Sequence, residues 1–293
     1  MKRGIIVYNQ SFKDKNWNEG VEWYKNAAKK FNIDLQVYTN TEIIFLLSDK
    51  IKCLNLKKDF NFVIFLDKDI RLARLLELNN FKVFNSSKAI EICDDKTLTQ
   101  IVLSENNIPT PKTIISPKFF FEPLDTSLIF LKEVSKILSF PLVLKEGFGS
   151  YGEQVYLIKN IKELTEMTKK IWSKPLLFQE FIKESKGRDI RMYVVGGKFV
   201  GACLRTNKKD FRANTELGGD MELYIPTKKE IDIAEKSVKS IGLDFAGVDI
   251  LFGKNGPLIC EVNSNSYAKK FYEITKIDVG EKIFEHINNM IYK

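Results

Sequence analysis

The first ninety residues alternate strand-like and helix-like segments, and this alternation limits the fold more than any other feature of the chain. The apolar runs "GIIVYN", "IDLQVYT", "NFVIFLD" and "FKVFNS" are interspersed with the helix-like "VEWYKNAAKKFN" and "IRLARLLELNN". Strands alternating with helices of this length predict βαβ units around a parallel sheet. An α/β unit over residues 1–92 follows. A helix is expected from Ser87 through "AIEICDDKTLTQIVLSENN", stopping at "IPTPKT", where two prolines prevent its continuation. After the Phe- and Pro-rich "SPKFFFEPL" and another helix-like stretch, "PLVLKE", "QVYLI", "LLFQEFI" and "DIRMYVVGGKFVGACLR" read as strands around the one helix "KELTEMTKKIW"; then the helix "KKEIDIAEKSVKSIG" precedes the hairpin "VDILFGKNGPLICEVN", and "GEKIFEHINNMIYK" closes the chain as a final helix. This half reads as α+β, against the α/β character of the first.

At 293 residues and 44% hydrophobic content the chain is long enough for about two compact units with real cores. No apolar run approaches the roughly 20 residues a bilayer-spanning helix needs, and "MKRGIIVYNQ" enters a strand without a cleavage pattern, so a cytoplasmic protein with no membrane partner is expected. Cys53, Cys93, Cys203 and Cys260 are scattered singly and read as reduced thiols. The 46 basic against 38 acidic residues give +8, but the lysines come as isolated pairs near acids, without the aromatic interleaving of a nucleic-acid surface. No nucleic-acid partner is expected. His286 is the only histidine. Multi-histidine zinc sites are therefore excluded, and any triad would rest on that one residue. The remaining chemistry belongs to carboxylates, lysines, arginines and a hard cation.

Four stretches carry such groups. In the hairpin, pairing Phe252 with Leu258 would set Asp249 opposite Glu261, and Asn263 would share their face by the period of two. Two carboxylates and an amide oxygen suit magnesium; taken alone, an ordinary polar face explains them equally well. "PLVLKEGFGSYGEQV" delivers Lys145 at a strand end before a glycine loop, a phosphate-cradle pattern that hairpin connections also produce. It lacks the Gly-Lys-Ser/Thr ending of a P-loop. Gln179, Glu180, Phe181 and Ile182 end a strand whose backbone could face a purine edge, with Asp189 and Arg191 opening the next hairpin; an edge strand with a charged loop reads the same way. "LRTNKKDFRAN" sets Arg205, Arg212 and Asn214 on one loop, where guanidinium forks suit phosphate and carboxylate, or simply solvent.

The order of these stretches resembles the ATP-grasp fold, and more closely its RimK-like carboxylate–amine ligase branch, typified by the enzyme that adds glutamate to a ribosomal protein's C-terminus. "DDKTLT", "GRDIRMYVVGGK", "DFRAN" and "GVDILF…GPLICEVN" carry the resemblance, from about Asp94 to the end of the chain. It implies a pre-ATP-grasp α/β domain over 1–92, a lid subdomain with its connecting helix over 93–185, and a C-terminal ATP-grasp subdomain over 186–293. It assigns Lys96 and Lys145 to the nucleotide phosphates, and Ser150, Tyr151 and Gly152 to a flexible cover. Gln179, Glu180, Phe181 and Ile182 would meet adenine, Asp189 would lie near the ribose, and Arg212 and Asn214 would reach the phosphates. Arg205 and Arg191 would serve the transferred phosphoryl group and the substrate carboxylate. Asp249, Glu261 and Asn263 match ligands for two Mg2+ ions, with Mn2+ as an alternative.

The activity implied is ATP-dependent joining of a carboxylate to an amine through an acylphosphate, on an amino acid, a peptide, a protein tail or an amino-acid-like metabolite. A peptide-macrocyclising ligase and a nucleotide-binding regulator without turnover are the competing readings. A homo-oligomer is a family expectation. The chain departs from the family pattern after Asn263, where "SNSYAKKFYEITKIDVGEKI" replaces the usual small residue, Pro and Gly, and Phe148 and Tyr151 make the glycine loop bulkier. "VYNQSFKDKNWNEG" is expected to line the substrate cleft.

Overall fold

The structure, a computed structural model, describes residues 2–11, 15–57, 59–121, 127–266 and 268–292. Residues 12–14 of the expected cleft segment and 122–124 of the Phe- and Pro-rich stretch lie outside these. Strand β1 (Lys2–Tyr8) leads through α1 (Lys15–Lys29) to β2 (Ile33–Thr39), and a small hairpin, β3 (Phe45–Leu47) with β4 (Ile51–Cys53), precedes β5 (Phe62–Leu66). Next come α2 (Ile70–Leu78) and β6 (Val83–Phe84). β1, β2, β5 and β6 form the expected parallel sheet in the order β2-β1-β5-β6. The β3–β4 hairpin was not anticipated: Leu46, Leu47 and Ile51 are apolar yet exposed, so its sequence lacks the polar-out alternation of a half-buried strand.

The long helix expected from Ser87 is two helices, α3 (Ser87–Asp94) and α4 (Lys96–Glu105). Asp95 breaks it. Its backbone is extended and its carboxylate accepts from Thr97 N at 2.8 Å, capping α4 instead of continuing α3. The expected boundary at residue 92 thus falls inside α3. The chain continues through β7 (Thr113–Ile115), α5 (Ser127–Leu138), β8 (Leu142–Glu146), β9 (Val155–Ile158), α6 (Ile161–Ile171) and β10 (Leu176–Glu180). These strands pair antiparallel in the order β7-β10-β8-β9, with α5 and α6 supplying Leu131, Val134, Leu138, Leu164 and Ile171 to their core.

A five-stranded antiparallel sheet completes the fold, built from β11 (Arg188–Val195), β12 (Lys198–Thr206), β13 (Asp220–Leu223), β14 (Phe245–Gly253) and β15 (Gly256–Asn263) in the order β13-β12-β11-β14-β15. Between β13 and β14 runs α7 (Lys228–Ile241), opened by a Thr227–Glu230 capping box and closed by Gly242 at φ 83°. The stretch after Asn263 yields α8 (Lys269–Thr275), which was not anticipated, and then the expected final helix α9 (Val279–Tyr292). Phe284 and Ile287 of α9 share a core with Ile6 and Ile64 of the first sheet and with Tyr193 and Phe245 of the large one. The end of the chain therefore fastens its beginning to the large sheet. Among the described residues no helix is long and apolar enough to cross a membrane.

Candidate active site

Two connected clefts lie between the sheets. The first is walled by β8, the glycine loop and the end of β10 on one side and by β11, β14 and β15 on the other. Its apolar end holds Val143, Leu251, Phe181 and Ile182, with the Phe181 and Phe211 rings 6.3 Å apart. Gln179 is buried and donates to Thr113 Oγ1 at 2.9 Å. Glu180 accepts from the Lys112 backbone N–H at 2.9 Å, which ties the end of β10 to the connection before β7. An apolar slot beside the end of a strand suits a flat heterocycle.

The other end of this cleft is cationic. Lys145 is buried on β8, its Nζ 3.7 Å from Cys260 Sγ. Lys96 opens α4 and reaches Gly149 O at 2.9 Å and Glu261 Oε1 at 3.3 Å. Arg212 is held by Asp210 at 2.8 and 2.9 Å and donates to the Gly152 and Val155 carbonyls. Gly152 sits at φ 76°, and a Cβ there would stand 3.0 Å from Asn214 Oδ1, so the loop closes tightly over Asn214 only with glycine at this position. Ser150 Oγ accepts from Lys68 Nζ at 3.1 Å, and Tyr151 adopts φ 60° at the loop's tip.

Cross-strand register builds the centre. Asp189 faces Arg205 between β11 and β12, and Arg191 faces Asp249 between β11 and β14. Arg205 forks onto Asp189 with both contacts at 2.7 Å and also reaches Asp249 Oδ2 at 2.9 Å. Arg191 binds both oxygens of Asp249 and donates to Ser266 Oγ. The result is a chain Asp189–Arg205–Asp249–Arg191 across three strands, with exposures of 7, 3 and 4% for its first three members. Burial pushes Asp249 up, but Arg191 and Arg205 more than offset it and hold its carboxyl below the usual range. Burial leaves Asp189 above that range despite Arg205, with Asp249 adding repulsion. Gly247 makes room for the cluster, since a Cβ there would lie 2.4 Å from Ser266 Oγ and 3.3 Å from Arg191 Nη1.

Asp249 faces Glu261 across the hairpin, although the turn does not have the expected register. Phe252 pairs with Pro257, not Leu258, and a bulge then leaves Cys260 without a partner and restores the Asp249–Glu261 pair. Gly247 faces Asn263, which places Asn263 on the same face. Among the described residues no three His, Cys, Asp or Glu side chains form a ready metal cage. The donor set is instead two carboxylates and one amide, and the Asn263 Nδ2 is buried without a hydrogen-bond partner. Rotating that amide puts an acceptor oxygen in its place, so the trio fits a hard cation that also draws on water and phosphate oxygens.

The second cleft shares Ser150, Asn214, Asp249 and Glu261 with the first and adds Tyr151, Arg191, Arg205 and Asn263. The positions expected to hold nucleotide and metal thus come together around one junction. Asn9 and Ser11 of the stretch expected to line the substrate cleft do line it, and Ser266 and Lys270 come from the departing stretch after Asn263, whereas Asp67 and Lys68 at the end of β5 were missed. An aspartate directly after the apolar run "NFVIFL", at a strand's carboxyl end, was the available signal.

The model of the RimK-like ATP-grasp domain matches residues 93–287. An uncharacterized protein of Mycoplasma genitalium is 33% identical over 271 residues, covering 90% of this chain and 92% of that protein. A probable alpha-L-glutamate ligase of Shewanella pealeana is 32% identical over 223 residues, 75% of this chain but 47% of that protein, so the chain spans about half of that relative. The ATP-grasp ligase PsnB, solved in complex with a minimal precursor, superposes at a TM-score of 0.72 with 14% identity over 97% of this chain and 98% of that one. This last likeness concerns the fold. The chain belongs to the RimK-like ATP-grasp family of carbon–nitrogen ligases.

Proposed function

We propose that the protein joins an amino acid or peptide carboxylate to the amine of a second such compound, with ATP converted to ADP and phosphate. The observation that carries this reading is the junction of the two clefts at Asp249 and Glu261, beside Arg191 and Arg205. A nucleotide lying along the first cleft, adenine against Phe181 and Ile182 and phosphates at Lys96 and Lys145, would present its γ-phosphate to the second. Gln179 and Glu180 would border the base, Asp189 the ribose side, and Arg212, Asn214 and the Ser150–Tyr151–Gly152 loop the phosphates. Asp249, Glu261 and Asn263 would hold Mg2+, which when bound screens phosphate charge.

The residues do the rest by position. A carboxylate oxygen of one substrate attacks the γ-phosphorus, ADP leaves, and an acylphosphate forms. The amine then attacks the acyl carbon, the C–O bond to phosphate breaks, and the nitrogen gives up a proton to yield amide and phosphate. Arg205 and Arg191, preorganised by Asp189, Asp249 and Ser266, would stabilise charge on the transferred phosphoryl group and orient the carboxylate. No side-chain nucleophile is required. The reading places the enzyme in the cytoplasm, where its four free cysteines stay reduced.

The test is phosphate release from ATP and Mg2+ with pools of amino acids and of acidic and basic peptides, with Glu261→Ala as control. Release that depends on one pool and is lost in the variant supports the ligase; nucleotide binding without release from any pool favours a regulator.

A further inference from the structure

The order β2-β1-β5-β6 reverses between β1 and β5, since the chain builds outward on one side of β1 and then returns to the other. In open parallel sheets that reversal leaves a crevice outside the strands' carboxyl ends, where ligands bind. Asn9 directly follows β1 and Asp67 directly follows β5, and both line the second cleft, as do Arg191 and Glu261. Asn9 Nδ2 stands 3.1 and 3.2 Å from the two Asp67 oxygens. Its amide is fixed in that sense because Asn9 Oδ1 accepts from Ser11 N at 3.0 Å and Ser11 Oγ at 2.6 Å. The Lys68 backbone N–H donates to Asp67 Oδ1 at 2.6 Å.

Asp67 is 4% exposed, yet among the described residues no lysine or arginine pairs with it. The nearest candidate in sequence is committed elsewhere: Lys68 Nζ lies 2.8 Å from Asp94 and 3.1 Å from Ser150 Oγ. Nor does Asp67 cap α2, because Asp69 does so through Leu72 N at 3.1 Å. Burial raises its pKa, with the charge of Asp69 adding to the rise, and the Asn9 amide and the Lys68 and Asp69 backbone donors only partly counter it. A buried carboxylate served only by neutral donors, on the wall of a cleft, is open to a cation that enters that cleft.

We infer that Asp67, oriented by Asn9, is the subsite that receives the protonated amine of the incoming substrate, either a free amino acid or a peptide N-terminus. This rests on the ligase reading and adds to it a recognition element from the first sheet. The amine arrives as ammonium, is held at the mouth of β1 and β5, and gives up one proton, with the Asp67 carboxylate as its nearest acceptor, before its lone pair attacks the acyl carbon.

The experiment compares two nucleophiles on one enzyme. The twenty standard amino acids and triglycine are offered as carboxylate donors with ATP, Mg2+ and hydroxylamine, which is uncharged at neutral pH and traps an acylphosphate as hydroxamate. The same compounds then serve as amines with the donor so identified. Asp67→Asn is expected to raise KM for the charged amine at least about tenfold more than KM for hydroxylamine, the scale of a lost charge-assisted hydrogen bond. Asn9→Ala, which leaves the carboxylate in place, is expected to shift the same ratio in the same direction by about threefold. A ratio unchanged in both variants, or both nucleophiles weakened equally, overturns the subsite. Wild-type enzyme that forms hydroxamate but joins none of the amines also overturns it alone. Absence of hydroxamate from every donor sinks the ligase reading with it.

Discussion

Replacing Arg205 by methionine removes the cation that holds Asp189 while leaving Asp249 with Arg191. Methionine keeps most of the buried volume, so the loss is chiefly electrostatic. Arg205 and Asp189 are 3 and 7% exposed, and removing one partner of such a pair costs about 3–5 kcal/mol at neutral pH. The pH dependence identifies the cause. In the wild type, Asp249 has a lowered pKa, so its contribution is present above the ordinary carboxylate range and is lost as pH falls through the lowered value. In the variant Asp189 keeps its burial but not its guanidinium, so its pKa rises further and protonation relieves the strain. Urea unfolding followed by circular dichroism should show the full loss at about pH 7.5 and a much smaller one at about pH 5. Adding Asp189→Asn to the variant should recover most of the stability at the higher pH. A loss under about 1 kcal/mol, or a full loss unchanged between the two pH values and not rescued by Asp189→Asn, would refute the assignment of a buried, charge-coupled chain.

Lys145→Met should weaken nucleotide binding about 10- to 100-fold in a fluorescent-ATP titration, with the unfolding midpoint little changed; unaltered affinity would remove Lys145 from the phosphate site. Gly247→Val pushes a side chain into the space of Ser266 and Arg191, and should lower the rate of ATP-dependent phosphate release while leaving the nucleotide Kd near wild type. Phe284→Ala opens the core shared by α9, the first sheet and the large sheet, and should cost about 3–5 kcal/mol in urea unfolding. A loss confined to fraying of the last helix would contradict that shared core.

Local grouping of polar side chains was readable from the sequence, whereas long-range crossings were not. The Asp249–Glu261 pair was anticipated from a turn register one residue away from the observed one, and it holds because the bulge at Cys260 adds back the missing residue. Nothing in "PLICEVN" announces that bulge, since an apolar run reads the same with or without it. Asp95 was read as helix interior although it is an aspartate followed by Lys-Thr, a side chain suited to capping. The glycine loop and the end of β10 were legible because each carries its groups within a few residues, but Arg205, expected on the loop with Arg212 and Asn214, lies inside β12, where its register with Asp189 holds it. Asn9 and Asp67 are 58 positions apart and meet only through the order of the parallel sheet, and the sequence reading named that sheet without its strand order.

The central claim is that a substrate carboxylate is activated by phosphoryl transfer from ATP, and the fate of its oxygen tests this most directly. Amino acids and peptides labelled with 18O in their carboxylates would be incubated with enzyme, ATP, Mg2+ and an amine, and the released phosphate weighed by mass spectrometry. The account predicts ADP together with phosphate carrying one labelled oxygen for each amide formed. Unlabelled phosphate accompanying amide, or AMP and pyrophosphate in place of ADP, would contradict it.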